Sequence, residues 1–280
     1  MIISVSRRCD IPRFQFDWFL ERLNEGFVDV INPFNAGQIK RVSLLPQDVD
    51  AFVFWTRDPK QILLNADEIA ARGYPFYVMV SVTGYPDILE PNMPPASQVI
   101  ASMKELTQKF MKNYPDFFDR LIWRYDPIIL TNATDIDFHL RNFNDLSQKL
   151  NGSVKHVIIS IYDEYKRAAK RLCKLEADGK LRMLNIEDEK IKNSFYGMIE
   201  SMAKIACDNG MHIQSCAEKE NFSPLGIKPG ACIDASLIQK ICGAQAARDK
   251  NMREDCLCCK SIDIGSYNTC AARCVYCYAS

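Results

Sequence analysis

The sequence carries no net charge: 35 lysines and arginines stand against 35 aspartates and glutamates in 280 residues. A neutral chain has no overall field to gather a polyanion, so nucleic acid is not an expected partner unless a local basic groove supplies what the total does not. No apolar run approaches the ~18 residues needed to span a bilayer, and no membrane association is expected. The opening residues 1–8 hold an apolar stretch too short for a signal-peptide core, with Arg7 and Arg8 after it rather than before it. The expected compartment is therefore the cytoplasm, where thiols stay reduced. Low-complexity tracts, solenoid-length repeats and Pro/Gly/Ser-rich linkers are also missing, which leaves one structural domain as the simplest organisation. Histidine is scarce, with only His139, His156 and His212, so mixed cysteine–histidine fingers have little material.

Against these absences stand 48% hydrophobic residues and 12 cysteines. A chain of this length buries a sizeable core without covalent staples. The cysteines are thus not needed as disulfides, and in a reducing compartment their clustering points to metal or redox chemistry.

Short β-branched or aromatic runs alternate with stretches of helical spacing, the pattern of β/α units around a parallel sheet. Strands are expected at residues 2–6, 28–32, 51–56, 76–82, 120–125, 154–161, 211–216 and 261–265. Helices are expected at 14–26, 59–72, 96–113, 135–150, 164–177, 186–208 and 236–243, with Pro59 and Asp135 as starts. The fold class this implies is α/β, a (β/α) TIM-barrel-like body over residues 1–220. A cysteine-containing cap insertion follows at 221–260, then a last strand and loop at 261–280. The Pro-rich stretch at 90–95 reads as a rigid surface connection.

In a closed β/α barrel the reactive groups lie at the carboxyl ends of the strands. The residues just past the expected strands are consistently polar, and Arg7, Arg8, Asp10, Arg124, Asp126 and Glu218 are the candidates for catalysis and substrate contact. Arg124 has the planar fork that grips a carboxylate. An Arg124–Asp126 pair that only fixes the barrel explains the same residues, and Glu218 reads equally as a solvated lid residue.

The sharpest signal is the string D-I-G-S-Y-N-T-C-A-A-R-C-V-Y-C-Y at 263–278, which places Cys270, Cys274 and Cys277 at CxxxCxxC spacing after an expected strand. Three soft thiolates this close can bind three irons of a cubane cluster, leaving one iron open because the loop offers no fourth ligand. An open corner can take the amino and carboxylate groups of S-adenosylmethionine, whose sulfonium bond an electron from the cluster can cleave to a 5′-deoxyadenosyl radical.

C-A-A-R-C-V-Y-C-Y resembles the cluster loop of radical S-adenosylmethionine (radical SAM) enzymes, and its aromatic-rich form is similar to that of spore photoproduct lyases. The chain as a whole resembles a bacterial domain-of-unknown-function family that carries S-R-R-T-D-I-P near the start and D-I-G-x-Y-x-T-C-x-x-x-C-x-Y-C-Y-A at the end. Phe54-Trp55-Thr56, Thr83-Gly84-Tyr85 and Trp123-Arg124-Tyr125-Asp126-Pro127 extend the likeness over nearly the full length. Cys9 stands where that pattern has threonine, and no role is carried onto it. The resemblance implies a [4Fe-4S] cluster on Cys270, Cys274 and Cys277, S-adenosylmethionine as cofactor with Tyr276 and Arg124 as contacts, and a reducing partner such as flavodoxin or ferredoxin. Radical SAM enzymes usually carry the three cysteines after the first strand, so the barrel expected here is permuted or partial, with residues 261–265 beside residues 2–6.

Two readings compete with this one. A structural zinc site, or a saturated electron-transfer cluster, could combine the closing cysteines with Cys256, Cys258 or Cys259, giving a metal-stabilised module without radical catalysis. Separately, Cys216, Cys232, Cys256 and Cys258 could complete an auxiliary [4Fe-4S] centre, the alternative being packed thiols and a zinc half-site. Cys173, Cys207 and Cys242 fall in helical patterns and read as packing residues.

Overall fold

The structure is a computed structural model that describes residues 1–279; the expected closing segment 261–280 thus ends one residue outside the described chain. Ten strands form: β1 (Ile2–Val5), β2 (Phe27–Asn32), β3 (Asn35–Ser43), β4 (Ala51–Thr56), β5 (Phe76–Ser81), β6 (Leu121–Ile128), β7 (His156–Ile161), β8 (His212–Cys216), β9 (Lys228–Gly230) and β10 (Ile262–Asp263). Eight of them make one sheet in the order β10-β1-β4-β5-β6-β7-β8-β9, and its neighbouring pairs run parallel.

The expected α/β class and parallel sheet are present, but the sheet does not close into a barrel. Its edges are β9 and β10, of three and two residues, and β9 contains Pro229, which has no N–H to give a further ladder. The gap is bridged covalently instead, by the residues 231–261 that link these two edges.

Strand burial explains why this order holds. Every residue of β4 is buried, as expected for a parallel strand covered on both faces. Phe52 and Phe54 point into the outer core with Phe76, Val78 and Trp123, where the helices pack. Ala51, Val53 and Trp55 point the other way, into a second cluster with Tyr77, Met79, Ile122 and Ile158. That inner cluster is completed by Cys232, Ile233, Ile238 and Cys258 from the cysteine-rich insertion. The insertion, expected as a cap, therefore packs on the sheet face opposite the helices. Tyr77 Oη donates to the Cys232 carbonyl at 2.7 Å and anchors it.

Two other expectations change. The run at 28–32 is a strand, but it pairs antiparallel with β3 in a separate two-stranded ribbon. β3 escaped notice because seven of its nine residues are exposed, with no apolar alternation to read. The helix expected at 59–72 is two short helices, Lys60–Leu64 and Ala66–Ala71, broken at Asn65, whose side chain donates to the Gln61 carbonyl at 2.8 Å. The other expected helices form, and Asp135 caps Ile136–Leu150 by accepting from Phe138 N at 2.8 Å. Among the described residues no helix is long and apolar enough to cross a membrane.

Candidate functional site

The carboxyl ends of the parallel strands surround a cavity of about 550 Å³. This is a size that suits a cofactor-sized ligand. Both cysteine groups line it: Cys270, Cys274 and Cys277 on one side, Cys216, Cys232, Cys256 and Cys258 on the other. Six arginines and four aspartates line it, and most of these arginines are paired with carboxylates.

The closing loop is held at its entry by Asp263. This carboxylate accepts from Ser4 Oγ at 2.8 Å, Ser6 Oγ at 2.5 Å, Arg7 N at 2.7 Å and Gly265 N at 3.0 Å. β10 is thus fastened beside β1, where the sequence places it. Gly265 is required by the same approach: a Cβ there would run into Ser6 Oγ and meet Cys9 Sγ at 2.8 Å. Cys9 packs against this entry, close to Ser266 and Thr269, and burial pushes its thiol up.

Farther along, the loop is gripped from two sides. Asn92 Nδ2 donates to the Ala271 carbonyl at 3.0 Å, and Val275 N donates to the Leu89 carbonyl at 2.9 Å. From the helix Lys166–Ala177, Arg167 reaches Asn268 Oδ1 at 2.6 Å and Arg171 Nε reaches the Val275 carbonyl at 2.8 Å. Asn268 and Arg273 hold positive φ, 63° and 52°, an uncommon conformation for residues with a Cβ that recurs at functional loops.

Tyr276, expected as a cofactor contact, is buried and directs its hydroxyl to Glu90 and to Arg57, whose Nη1 donates to it at 2.8 Å. Arg57 Nη2 also donates to Thr83 Oγ1 at 2.7 Å and pairs with Glu90. The connection at 90–95, expected on the surface, therefore begins with a carboxylate that is 5% exposed and plugged under the loop. Arg57 and Glu90 were missed as site residues. Arg57 was legible only as one more polar residue after a strand, and Glu90 lay in a Pro-rich stretch of loop composition.

The thiols differ in their surroundings. Burial pushes Cys274 up to about 12, against the nearby Arg57 charge. Burial also raises Cys270, opposed by hydrogen bonds from the Ala272 and Asp10 backbones. Loading a metal here must displace the protons these thiols hold.

The other candidates are distributed around the wall. Asp10 is buried and raised to about 6 by that burial, while it accepts from Arg57 N at 2.8 Å and Arg13 N at 3.0 Å. It caps the short helix Ile11–Phe14 and ties the β1 end to the β4 end. Arg7 and Arg8 face Asp263 at 3.8 and 4.0 Å. Arg124 pairs with Asp126, which also accepts from Ser160, and its guanidinium stacks over Trp55 at 4.8 Å. The β6–β7 ladder is interrupted between Tyr125 and Ile128, the kind of irregularity that re-aims a side chain. Glu218 accepts from Ile161 N at 2.8 Å, is raised to about 7 by burial, and stands outside the cavity lining. Trp55 Nε1, Arg57 Nε, Arg124 Nε and the Tyr162 hydroxyl are buried without a hydrogen-bond partner among the described residues. All four belong to residues of the cavity wall, where bound ligand or water is the ordinary completion.

The second thiol group is tighter. The sulfurs of Cys216, Cys232 and Cys258 lie within 4.8 Å of one another, and among the described residues they are the one group of three or more potential metal ligands gathered so closely. Cys256, two residues before Cys258, is buried and lines the same cavity. Cys216 ends β8, Cys232 follows β9, and Cys256 and Cys258 precede β10.

No curated protein matches the sequence. Among solved structures the chain is similar to a D-hydantoinase from a Bacillus species, at 9% identity and a TM-score of 0.29, covering 61% of this chain and 35% of that one. It is also similar to a GH20 catalytic module of the pneumococcal exo-β-D-N-acetylglucosaminidase, at 9% identity and a TM-score of 0.28, covering 77% and 52%. The chain thus spans between a third and about half of these structures. At the level of sequence the likeness is of another order, since one family pattern runs from residue 2 to residue 279, and on that match the chain belongs to the family described as Domain of unknown function (DUF1848).

Proposed function

We propose that this chain is a radical SAM enzyme, with a [4Fe-4S] cluster on Cys270, Cys274 and Cys277 and S-adenosylmethionine in the adjoining cavity. The observation that carries the reading is the placement of the CxxxCxxC loop: three thiols at the carboxyl ends of a parallel sheet, on the wall of a cavity of about 550 Å³. The donor set suits the group, being soft thiolates with no fourth ligand supplied by the loop. When bound, the cluster and S-adenosylmethionine supply reductive cleavage of a sulfonium bond and, from it, hydrogen abstraction at an unactivated carbon of the substrate.

The chain's own residues divide the remaining work. Asp263, Glu90 and Arg57 fix the loop, so the thiols are presented on rigid supports rather than on a free tail. Arg124, already held against Asp126 on the cavity wall, is the residue placed to orient a carboxylate-bearing ligand. The insertion packed on the inner sheet face also lines the cavity, through Cys232, Cys256 and Cys258, and supplies part of the apolar wall that would shield a reacting centre.

Protein purified without air should be brown, contain iron and labile sulfide, and release 5′-deoxyadenosine when reduced in the presence of S-adenosylmethionine. Cys274→Ala should abolish release, while Cys173→Ser, on an exposed helix position, should not. Colourless protein holding zinc alone would instead support a metal-stabilised binding module that breaks no bond.

A further inference from the structure

Four buried thiols from three separate chain segments converge away from the closing loop. Cys232 Sγ lies 3.1 Å from Cys216 Sγ, and Cys258 Sγ completes a triangle with no side above 4.8 Å. Cys258 also accepts from Ile233 N at 3.4 Å, as a metal-bound thiolate does from its second shell. Cys256, two residues before Cys258, is buried on the same cavity wall and is the thiol available as the fourth ligand. All four are free of disulfides.

Inert packing does not gather sulfurs in this way, because buried free thiols gain more from apolar neighbours than from each other. A disulfide joins two sulfurs and leaves the rest of the group unexplained. A cubane cluster seats each thiolate on a different iron, so its sulfurs stand farther apart than those sharing one ion. For a single tetrahedral zinc, bonds of about 2.3 Å set sulfur–sulfur edges of about 3.8 Å. The separations among Cys216, Cys232 and Cys258, from 3.1 Å to no more than 4.8 Å, bracket that edge.

We infer that Cys216, Cys232, Cys256 and Cys258 bind one zinc ion as a closed four-thiolate site, where the sequence alone suggested an auxiliary iron–sulfur centre. The ion cross-links the end of β8, the chain just past β9 and the segment leading into β10. It thereby does by coordination what strand pairing does in a closed barrel: it joins the two edges of the open sheet. Each thiol that binds gives up its proton to solvent. The inference is independent of what the closing loop binds.

The test uses the full chain carrying Cys270→Ala, Cys274→Ala and Cys277→Ala, so that the closing loop contributes no thiol. Metal analysis should give one zinc per chain, and X-ray absorption at the zinc edge should give four sulfurs at about 2.3 Å. Adding Cys258→Ala should lower zinc at least tenfold, whereas adding Cys173→Ala should leave it unchanged. Absence of zinc, or uptake of iron with stoichiometric sulfide by the triple variant on anaerobic reconstitution, would overturn the inference. If the triple variant does not fold, zinc-edge absorption of the unsubstituted protein decides: a four-sulfur shell upholds the site, and nitrogen or oxygen ligands or no zinc overturn it.

Discussion

His139 shows how much one buried side chain can set. Its Nε2 faces the Ile129 carbonyl at 3.1 Å and its Nδ1 faces Tyr125 Oη at 2.8 Å, so the neutral ring donates through Nε2 and accepts through Nδ1. Burial lowers its pKa to about 4, so the unfolded chain binds this proton more readily than the folded one. Stability from this group is complete above the unfolded pKa of about 6.5 and is lost as pH falls toward 4, on the order of 3 kcal/mol in all. Urea unfolding of the protein and of His139→Gln between pH 7.5 and 4.5 should show their difference shrinking as pH falls. A pH-independent difference would contradict it. Arg57 and Glu90 set a second expectation. Glu90→Ala leaves the Arg57 guanidinium buried beside Tyr276 without its carboxylate and should cost about 3–5 kcal/mol in unfolding experiments. A loss below about 1 kcal/mol would mark the pair as solvated. The meeting of Cys216, Cys232 and Cys258 was legible in the sequence from their places around the expected strands and cap. Arg57 and Glu90 were not, because their partnership spans the gap between a strand end and a Pro-rich loop that no local pattern connects.

At the scale of elements, β1, β4, β5, β6, β7 and β8 were readable because buried parallel strands leave continuous apolar runs. β9, three residues inside the expected cap, was not read as a strand, β10 is only two residues of the run expected at 261–265, and β3 is a polar ribbon with nothing to alternate. The β10–β1 contact is the element on which the closing loop depends, and Gly265 is its most sensitive point. Gly265→Ala drives a methyl into Ser6 and should destabilise the protein by at least about 2 kcal/mol, as overpacking of a closed contact does. Gly197→Ala, within the helix Glu189–Asp208 and with nothing within 4 Å of its Cβ, should instead stabilise by about 0.5–1 kcal/mol. Thermal unfolding of both variants compares them directly, and equal effects would remove the steric argument.

For the molecule as a whole, a parallel α/β sheet was foreseeable in outline, and residues 261–265 do reach β1, but the strand expected at 28–32 lies in the separate ribbon and β9 was not expected. Closure was not foreseeable, because whether a last ladder forms depends on the edges and on what fills the interior. Here a cysteine-rich insertion occupies the sheet face opposite the helices. The result is one cavity with two thiol groups of different spacing on its walls, and the proposed chemistry belongs to the wider of the two. That chemistry requires one iron of the closing-loop cluster to be free of protein ligands. Electron paramagnetic resonance of the anaerobically prepared, reduced protein, recorded with and without S-adenosylmethionine, tests this directly. A reduced [4Fe-4S] signal whose shape changes on adding S-adenosylmethionine is expected, whereas a signal indifferent to it, or the absence of any iron signal, would contradict the radical SAM reading.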